Sequence, residues 1–416
     1  MFALVDVDNF YASCERLFRP DLKNQPIVVL SSNDGCVVAR SSEAKLLGVK
    51  MGVPYFQIKK IIKKNKINVF SSNYDLYQEL SNRLMNYVGQ SFFEYQVYSI
   101  DECFIKLKTQ NQALWEEKLI DWRMKVKQDL GLPVSIGLSQ TKTLAKLAAE
   151  LAKKNQNGVL ALSGDEESNF LLFADLPLQE IWGLGPASVR KLNQAKILTV
   201  ADFLGQNQVF IKQLLGKGGV RTYLELKGIV ADEDIAHQSH SLQVSRSFGQ
   251  VISDYNVLRG ILAQFVQQAC QKLRQKQQVT QMIGVHLATS YYKEPVERYH
   301  AYWHERLPLP SNSELDILPL ADKILCKIYT GHYQFQRLGI ICQQNVKIKE
   351  LQTSLFTNDN QSQVKLLTSL DKINQKYGKN MVYLGTTADK SNFWQPLASW
   401  RSPNYLTDWL KLPVAK

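Results

Sequence analysis

Residues 2–7, FALVDV, are apolar at nearly every position, the pattern of a strand buried on both faces. ASCERLF then takes a helical spacing. PIVVLSS (26–32) returns to a strand, which the turn residues Asn33, Asp34 and Gly35 end. SSEAKLLGVKMG reads as a short helix closed by Gly48, FQIKKIIKKNK as a second, and YDLYQELSNRLMNYV as an amphipathic helix within 73–88. Two short apolar arms, 92–100 and 103–108, flank Asp101 and Glu102. LIDWRMKVKQDLG predicts a helix, LPVSIGLSQ a strand, and KTLAKLAAELAKK a long helix rich in alanine and lysine. The alternation makes 1–163 an α/β or α+β unit.

From 168 to 230 the pattern breaks into short helices punctuated by glycine, IWGLGPASVRKL among them. A new unit begins at 241: strand, helix, two strands, helix, strand. That β-α-β-β-α-β order is ferredoxin-like. Residues 346–361 carry no strong period and read as a linker. An amphipathic helix, VKLLTSLDKINQKYG, and an aromatic tail, FWQPLASWRSPNYLTDWL, follow.

At 416 residues the chain exceeds one ordinary core, so several domains are expected. A hydrophobic share of 45% and a charged share of 21% exclude a disordered chain. No run is apolar and long enough for a spanning helix. MFALVDVDNF meets acids too early, and lacks the basic leader, for a signal peptide, so the cytoplasm is the expected location. Fifty Lys and Arg against 38 acids give a net charge of +12, which suits a polyanionic partner, nucleic acid before membrane. A well-solvated surface explains part of the same excess. The cysteines are scattered without a CxxC pair, against a disulfide framework or zinc ribbon. His300 and His304 stand at helical spacing but lack a third ligand.

The chemistry concentrates in VYSIDECFIKL, 97–107. Burying two unpaired carboxylates is costly, and neighbours on a flat strand point to opposite faces. Asp101 and Glu102 therefore converge only at a bend, and their short apolar flanks suit a tight hairpin with the acids at its tip. Asp6 and Asp8 alternate onto one face of the first strand. If that strand lies beside the hairpin, Asp6, Asp101 and Glu102 meet. Carboxylates so placed repel unless cations neutralise them; their hard oxygens suit Mg²⁺, and two ions about 3.5–4 Å apart serve phosphoryl transfer. A solvated turn explains the acidic pair equally well on its own. Asn9, Phe10 and Tyr11 lead into a helix whose free N–H groups suit a triphosphate, with Lys153, Arg40 and Lys45 as candidate phosphate cations.

DVDNFYASCE, VVARSSEAKLLGVKMG, YSIDE and GLSQTKTLAKLAAELAKK together resemble the Y-family translesion DNA polymerases. FSSNYDLY, NDGCVVARSSEAK, SRSFG and the SPNY-containing tail are similar to that family's bacterial UmuC-type branch, the catalytic subunits of DNA polymerase V. The resemblance spans essentially the whole chain. It implies an α+β multidomain right hand: palm at 1–10 and 71–163, fingers at 11–70, a helical thumb with a helix-hairpin-helix at 164–232, and a β-α-β-β-α-β little finger at 241–345. A linker with a clamp-binding motif at 346–361 and a small C-terminal module at 362–416 complete it. The implied function is error-prone, template-directed synthesis past DNA lesions in the SOS response, by two-metal transfer of dNTPs to a primer 3′-hydroxyl.

By that resemblance Asp6 and Asp101 share the metal ions (Mg²⁺, or Mn²⁺ in its place) with the main-chain oxygen of Val7, and Glu102 is the third carboxylate; Asp8 stays outside the set. Tyr11 takes the steric-gate position, against a ribose 2′-hydroxyl, with Phe10 its aromatic neighbour. Lys45 and Lys153 match triphosphate cations. Asn9 and Ala39 replace a tyrosine and a threonine common in relatives, and Arg40 is a candidate to compensate. Gly183 and Gly185 match the phosphate-contacting thumb turn, and Arg246 a strand along the duplex. Gln352, Leu355 and Phe356 resemble a sliding-clamp peptide. Trp394, Trp400 and Trp409 offer a surface to a UmuD-like processed subunit or to RecA, or else a small core. Another palm-type nucleotidyl enzyme, such as a cyclase, and a non-catalytic DNA- or clamp-binding protein are the competing readings.

Overall fold

The computed structural model describes residues 1–108, 111–155, 157–163, 168–231, 240–290, 294–351, 361–377, 381–382, 385, 397–403 and 405–406. They divide into two compact units, Met1–Ile235 with Ala398–Lys416, and Ala236–Leu397. No helix among the described residues is long and apolar enough to cross a membrane.

The first unit begins with β1 (Phe2–Val7), α1 (Phe10–Leu17), β2 (Ile27–Leu30), β3 (Val37–Arg40), α2 (Ser42–Leu46), α3 (Tyr55–Lys64) and β4 (Asn68–Ser71). There follow α4 (Tyr74–Ser91), β5 (Tyr95–Val97), β6 (Glu102–Lys106), α5 (Gln112–Leu130), β7 (Val134–Ser139), α6 (Lys142–Ala152) and β8 (Val159–Ala161). Its main sheet has the order β5-β6-β1-β7-β8, and a smaller one the order β3-β2-β4. β1 is central, and both of its faces are covered, which is why its pattern is continuous rather than alternating. Ala3, Val5 and Val7 pack with residues of α1, α4 and α5, while Leu4 packs with Phe104, Ala145 and Ala149 on the α6 side. Gly137 of β7 permits that second approach: a Cβ there would stand 2.1 Å from Ala145 O and from Ala149 N. The glycine thus brings α6, with its lysines, down onto the sheet.

Short helices α7 (Phe170–Asp175), α8 (Pro186–Gln194) and α9 (Val200–Leu204) lead to α10 (Gln208–Leu226). Buried Glu225 at the end of α10 accepts hydrogen bonds from the Thr143 N–H and hydroxyl at the start of α6.

The second unit runs β9 (Ser241–Ile252), α11 (Tyr255–Gln275), β10 (Gln278–Ala288), β11 (His300–Ser311), α12 (Glu314–Ile328), β12 (Phe335–Gln343) and, further on, α13 (Gln361–Tyr377). Its sheet has the order β11-β10-β12-β9, all antiparallel, with α11 and α12 packed on one face. This is the expected β-α-β-β-α-β arrangement. Past β12, Val346–Lys347 pairs with β10 although its side chains show no period; backbone pairing there needs none. Arg274 of α11 joins two acids, Glu314 at 2.9 Å and Asp371 of α13 at 2.6 Å.

Residues of the aromatic tail belong to the first unit. Ser71 N–H donates to Trp400 O at 3.0 Å, and Tyr405 stacks on Phe18 with ring centroids 4.7 Å apart. Ser402 Oγ and Tyr77 OH both donate to Glu15 Oε1, at 3.1 and 2.6 Å. Glu15 is fully buried, and its other carboxylate oxygen has no partner among the described residues. Trp394, Trp409 and the segment holding Gln352, Leu355 and Phe356 lie outside the described residues.

Two outcomes follow for stability. Arg274→Ala strands Glu314, which is 3% exposed, and should destabilise the second unit by about 3 kcal/mol in denaturant titrations of the full chain. Burial pushes the Glu15 carboxyl up to about 7 from 4.5, against the hydroxyl donors. The folded state therefore holds an extra proton between those values, and Glu15's contribution is present below 4.5 and lost as pH climbs to about 7. The stability of the native protein relative to Glu15→Gln should fall across that window and level off above it.

Candidate active site

The register of β1 with β6 sets Asp6 directly opposite Glu102, so the two carboxylates lie on one face of the sheet. The Val7 N–H donates to the Asp101 carbonyl at 3.1 Å, which fixes the hairpin beside the strand carrying Asp6. Asp101 is the last residue of a four-residue connection and Glu102 the first of β6, so neither acid is at a tight tip. Ser99 shapes this bend. Its Oγ accepts from the N–H groups of Asp101 and Glu102, at 3.3 and 3.0 Å, and donates to the Asp101 carboxylate at 2.6 Å. That local loop replaces the strict alternation of a strand, and adjacent acids need not point apart.

Lys146 of α6 and Lys153, the residue that caps its C-terminal end, reach these acids. Lys146 Nζ lies 2.6 Å from Glu102, and Lys153 Nζ lies 3.2 Å from Asp6 and 2.7 Å from Glu150. Lys153 was singled out from sequence; Lys146 was not, although a spacing of seven sets both on one helix face. Burial is the main cause that raises Asp6, to about 7; Glu102 and Asp101 raise it further and Lys153 opposes them. Burial alone would lower the Lys153 ammonium, but the Asp6 and Glu150 charges lift it above its ordinary range. Asp8 is engaged elsewhere, accepting from the Ser135 hydroxyl at 2.7 Å.

Among the described residues, no three His, Cys, Asp or Glu side chains are gathered as a finished metal cage. The chemistry of the donors nonetheless fits a divalent cation. Asp6, Asp101 and Glu102 are hard oxygen ligands, and the negative charge that burial penalises at Asp6 is the charge a cation relieves.

Beside the acids stands an aromatic wall. Asn9 takes a left-handed backbone (φ 49°) and spends its side chain on Ser42 Oγ at 3.1 Å, so it does not cap α1. Tyr11 is half-buried, stacked on Tyr77 with centroids 4.4 Å apart and edge-on to Tyr74 at 5.8 Å. Burial chiefly, then the Tyr74 phenol and the Asp101 charge, push the Tyr11 phenol up to about 12. Phe10, 4% exposed, belongs to the hydrophobic core. Tyr74 and Tyr77 went unassigned in the sequence, though their spacing of three at the start of α4 put both on one face. The Arg40 guanidinium donates to Val49 O, and Lys45 is exposed on α2.

Trp182 Nε1 donates to Tyr98 OH at 3.0 Å, joining the glycine turn to the acid-bearing hairpin. Gly183 needs its glycine for a φ of +95° and because a Cβ would meet Thr222 Oγ1 at 2.5 Å. Gly185 opens α8, and a Cβ there would meet nothing within 4 Å. In the second unit Arg246 is exposed on β9 opposite Leu338, and its charge adds to burial in lowering Lys272.

Comparison with known proteins gives the chain's family. Residues 5–150 match the impB/mucB/samB family, 239–355 match the C-terminal domain of that family, and 364–415 match a domain of unknown function. The chain is 36% identical to protein ImpB of Salmonella typhimurium, with all of both chains covered. It is also 36% identical to protein UmuC of Salmonella typhimurium over 98% of each. A Y-family DNA polymerase chimera superposes with a TM-score of 0.68 at 21% identity, covering 83% of this chain and 100% of that one, a likeness of fold. The chain belongs to the impB/mucB/samB family and is UmuC-like over nearly its whole length.

Proposed function

We propose that this protein is a DNA-directed DNA polymerase that carries synthesis past damaged template bases, adding dNTPs to a primer 3′-hydroxyl. The observation that carries the reading is the pairing of Asp6 with Glu102, with Asp101 held at Val7 and the Tyr11 ring nearby. Full-length similarity to ImpB and UmuC supports it, and neither a cyclase nor a non-catalytic scaffold draws comparable support.

In this reading Asp6, Asp101, Glu102 and the Val7 carbonyl would hold Mg²⁺, with Mn²⁺ as a substitute. Bound there, divalent cations supply Lewis acidity at the attacking and leaving oxygens of phosphoryl transfer. Lys153, Lys45 and Arg40 neutralise the triphosphate, and Lys146 holds Glu102 in place between nucleotides. The Tyr11 ring fills the space that a ribose 2′-hydroxyl would take, while buried Phe10 secures the start of α1. Backbone N–H groups at Gly183 and Gly185 approach DNA phosphates without regard to sequence, as a moving polymerase requires. Arg246 adds charge along the duplex, and Gln352, Leu355 and Phe356 dock on a sliding clamp. A UmuD-like processed subunit and RecA complete the partners expected of a damage-induced, error-prone enzyme of the cytoplasm.

Asp101→Ala should reduce primer extension to background while binding of primer–template DNA stays within a few-fold of normal. Ordinary extension by that variant removes the acids from the chemistry. Tyr11→Ala should lower the preference for dNTP over rNTP by more than about tenfold, a steric penalty of only ~1.4 kcal/mol. Steady-state incorporation of matched sugar pairs measures it, and an unchanged ratio moves the gate to another side chain.

A further inference from the structure

C-terminal residues 398–403 and 405–406 are built into the first unit by a dense set of contacts. Asp34 accepts from the Ser71 hydroxyl at 2.5 Å and from the Ser399 N–H at 2.8 Å. Ser71 also accepts from the Trp400 N–H at 2.9 Å. Asn73, the cap of α4, donates to the Ser402 carbonyl and hydroxyl at 3.2 and 3.0 Å. Arg401 bridges to Asp75 at 2.8 Å. Tyr405, buried in the core, closes the far end on Phe18. A loosely attached tail would have no use for so many buried partners, each of which costs desolvation if left unmet.

From this segment an unbroken path leads to the nucleotide site. Ser402, 7% exposed, donates to Glu15 Oε1 at 3.1 Å. The same oxygen accepts from Tyr77 OH at 2.6 Å. The Tyr77 ring lies parallel to that of Tyr11, 15° apart in plane and 4.4 Å between centroids. Tyr77 is wholly buried, so its phenol has no freedom to find another acceptor, and the hydrogen bond decides where the ring lies.

We propose that segment 398–406 is a strut of the nucleotide site, in which Ser402 acts through Glu15 and Tyr77 as a positioning residue for the Tyr11 ring and so sharpens discrimination against ribonucleotides. The inference rests on the reading of Tyr11 as the sugar gate, and it gives a role to part of the stretch that matches a domain of unknown function. Because Ser402 contacts Glu15 but none of Asp6, Asp101, Glu102 or the candidate phosphate-binding cations, its loss should act on sugar choice and leave the chemistry of the correct nucleotide intact.

The test uses the full chain in single-turnover incorporation of a matched dNTP and rNTP, comparing Ser402→Ala, Tyr77→Phe, Tyr11→Ala and the double variant Ser402→Ala/Tyr11→Ala. Ser402→Ala and Tyr77→Phe should each cut the dNTP:rNTP ratio of kcat/KM by about three- to tenfold, the effect of one lost hydrogen bond. Their kcat/KM for the dNTP should stay within about twofold. In the Tyr11→Ala background, Ser402→Ala should add nothing, because the ring it positions is gone. Tyr77→Phe keeps the ring and carries the test alone if Ser402→Ala fails to fold. A parallel loss with both nucleotides, or additive effects in the double variant, overturns the strut while Tyr11→Ala still relaxes selection. If Tyr11→Ala leaves selection unchanged, the gate assignment itself fails and the strut falls with it.

Discussion

The meeting of Asp6 and Glu102 across two paired strands governs this protein. Asp6 is held between buried Val5 and Val7 on the central strand, and burial resists its charge. Left alone beside Glu102, Asp6 would take up a proton. α6 supplies the balance: Gly137 lets it sit close on the sheet, and Lys146 and Lys153 extend to the two acids. Positive charge is thus required at this place whatever carries it. In the proposed reading, a divalent cation and a phosphate chain take over part of the charge balance that Lys146 and Lys153 supply.

Much of this was legible in the residues. The continuous apolar run of β1, the short arms around Asp101 and Glu102, and the strand–helix order of the second unit all have direct physical signatures in sequence. The convergence of Asp6 with the hairpin was legible only as a condition, since periodicity says which residues form strands and not which strands pair. Ser99 was hidden for a different reason: a serine two positions before an aspartate is common, and only the backbone shows that it pins the bend. Tyr77 looked like ordinary core because its ring is ordinary core; its importance comes from what stacks on it.

The described residues after 361 are divided between the two units. Helix α13 is fastened within the second unit through Asp371 to Arg274, whereas 398–406 are fastened within the first through Asp34, Ser71, Asn73 and Glu15. The aromatic character of the tail reads from sequence either as a surface for partners or as a small core of its own, whereas Tyr405 is spent on the core of the first unit and Trp400 lies with its ring 5.2 Å from that of Tyr55. Aromatic content by itself does not separate an interface from an internal dock; hydrogen-bonding partners more than three hundred residues upstream do.

The most direct test of the central claim counts divalent ions. Electron paramagnetic resonance of Mn²⁺ with the full chain, primer–template DNA and a non-reactive dNTP analogue should find about two bound ions per chain, lost in Asp6→Asn and Asp101→Asn. If the native chain holds no Mn²⁺ above the level of those variants while DNA and nucleotide are bound, the acids meet for some purpose other than catalysis.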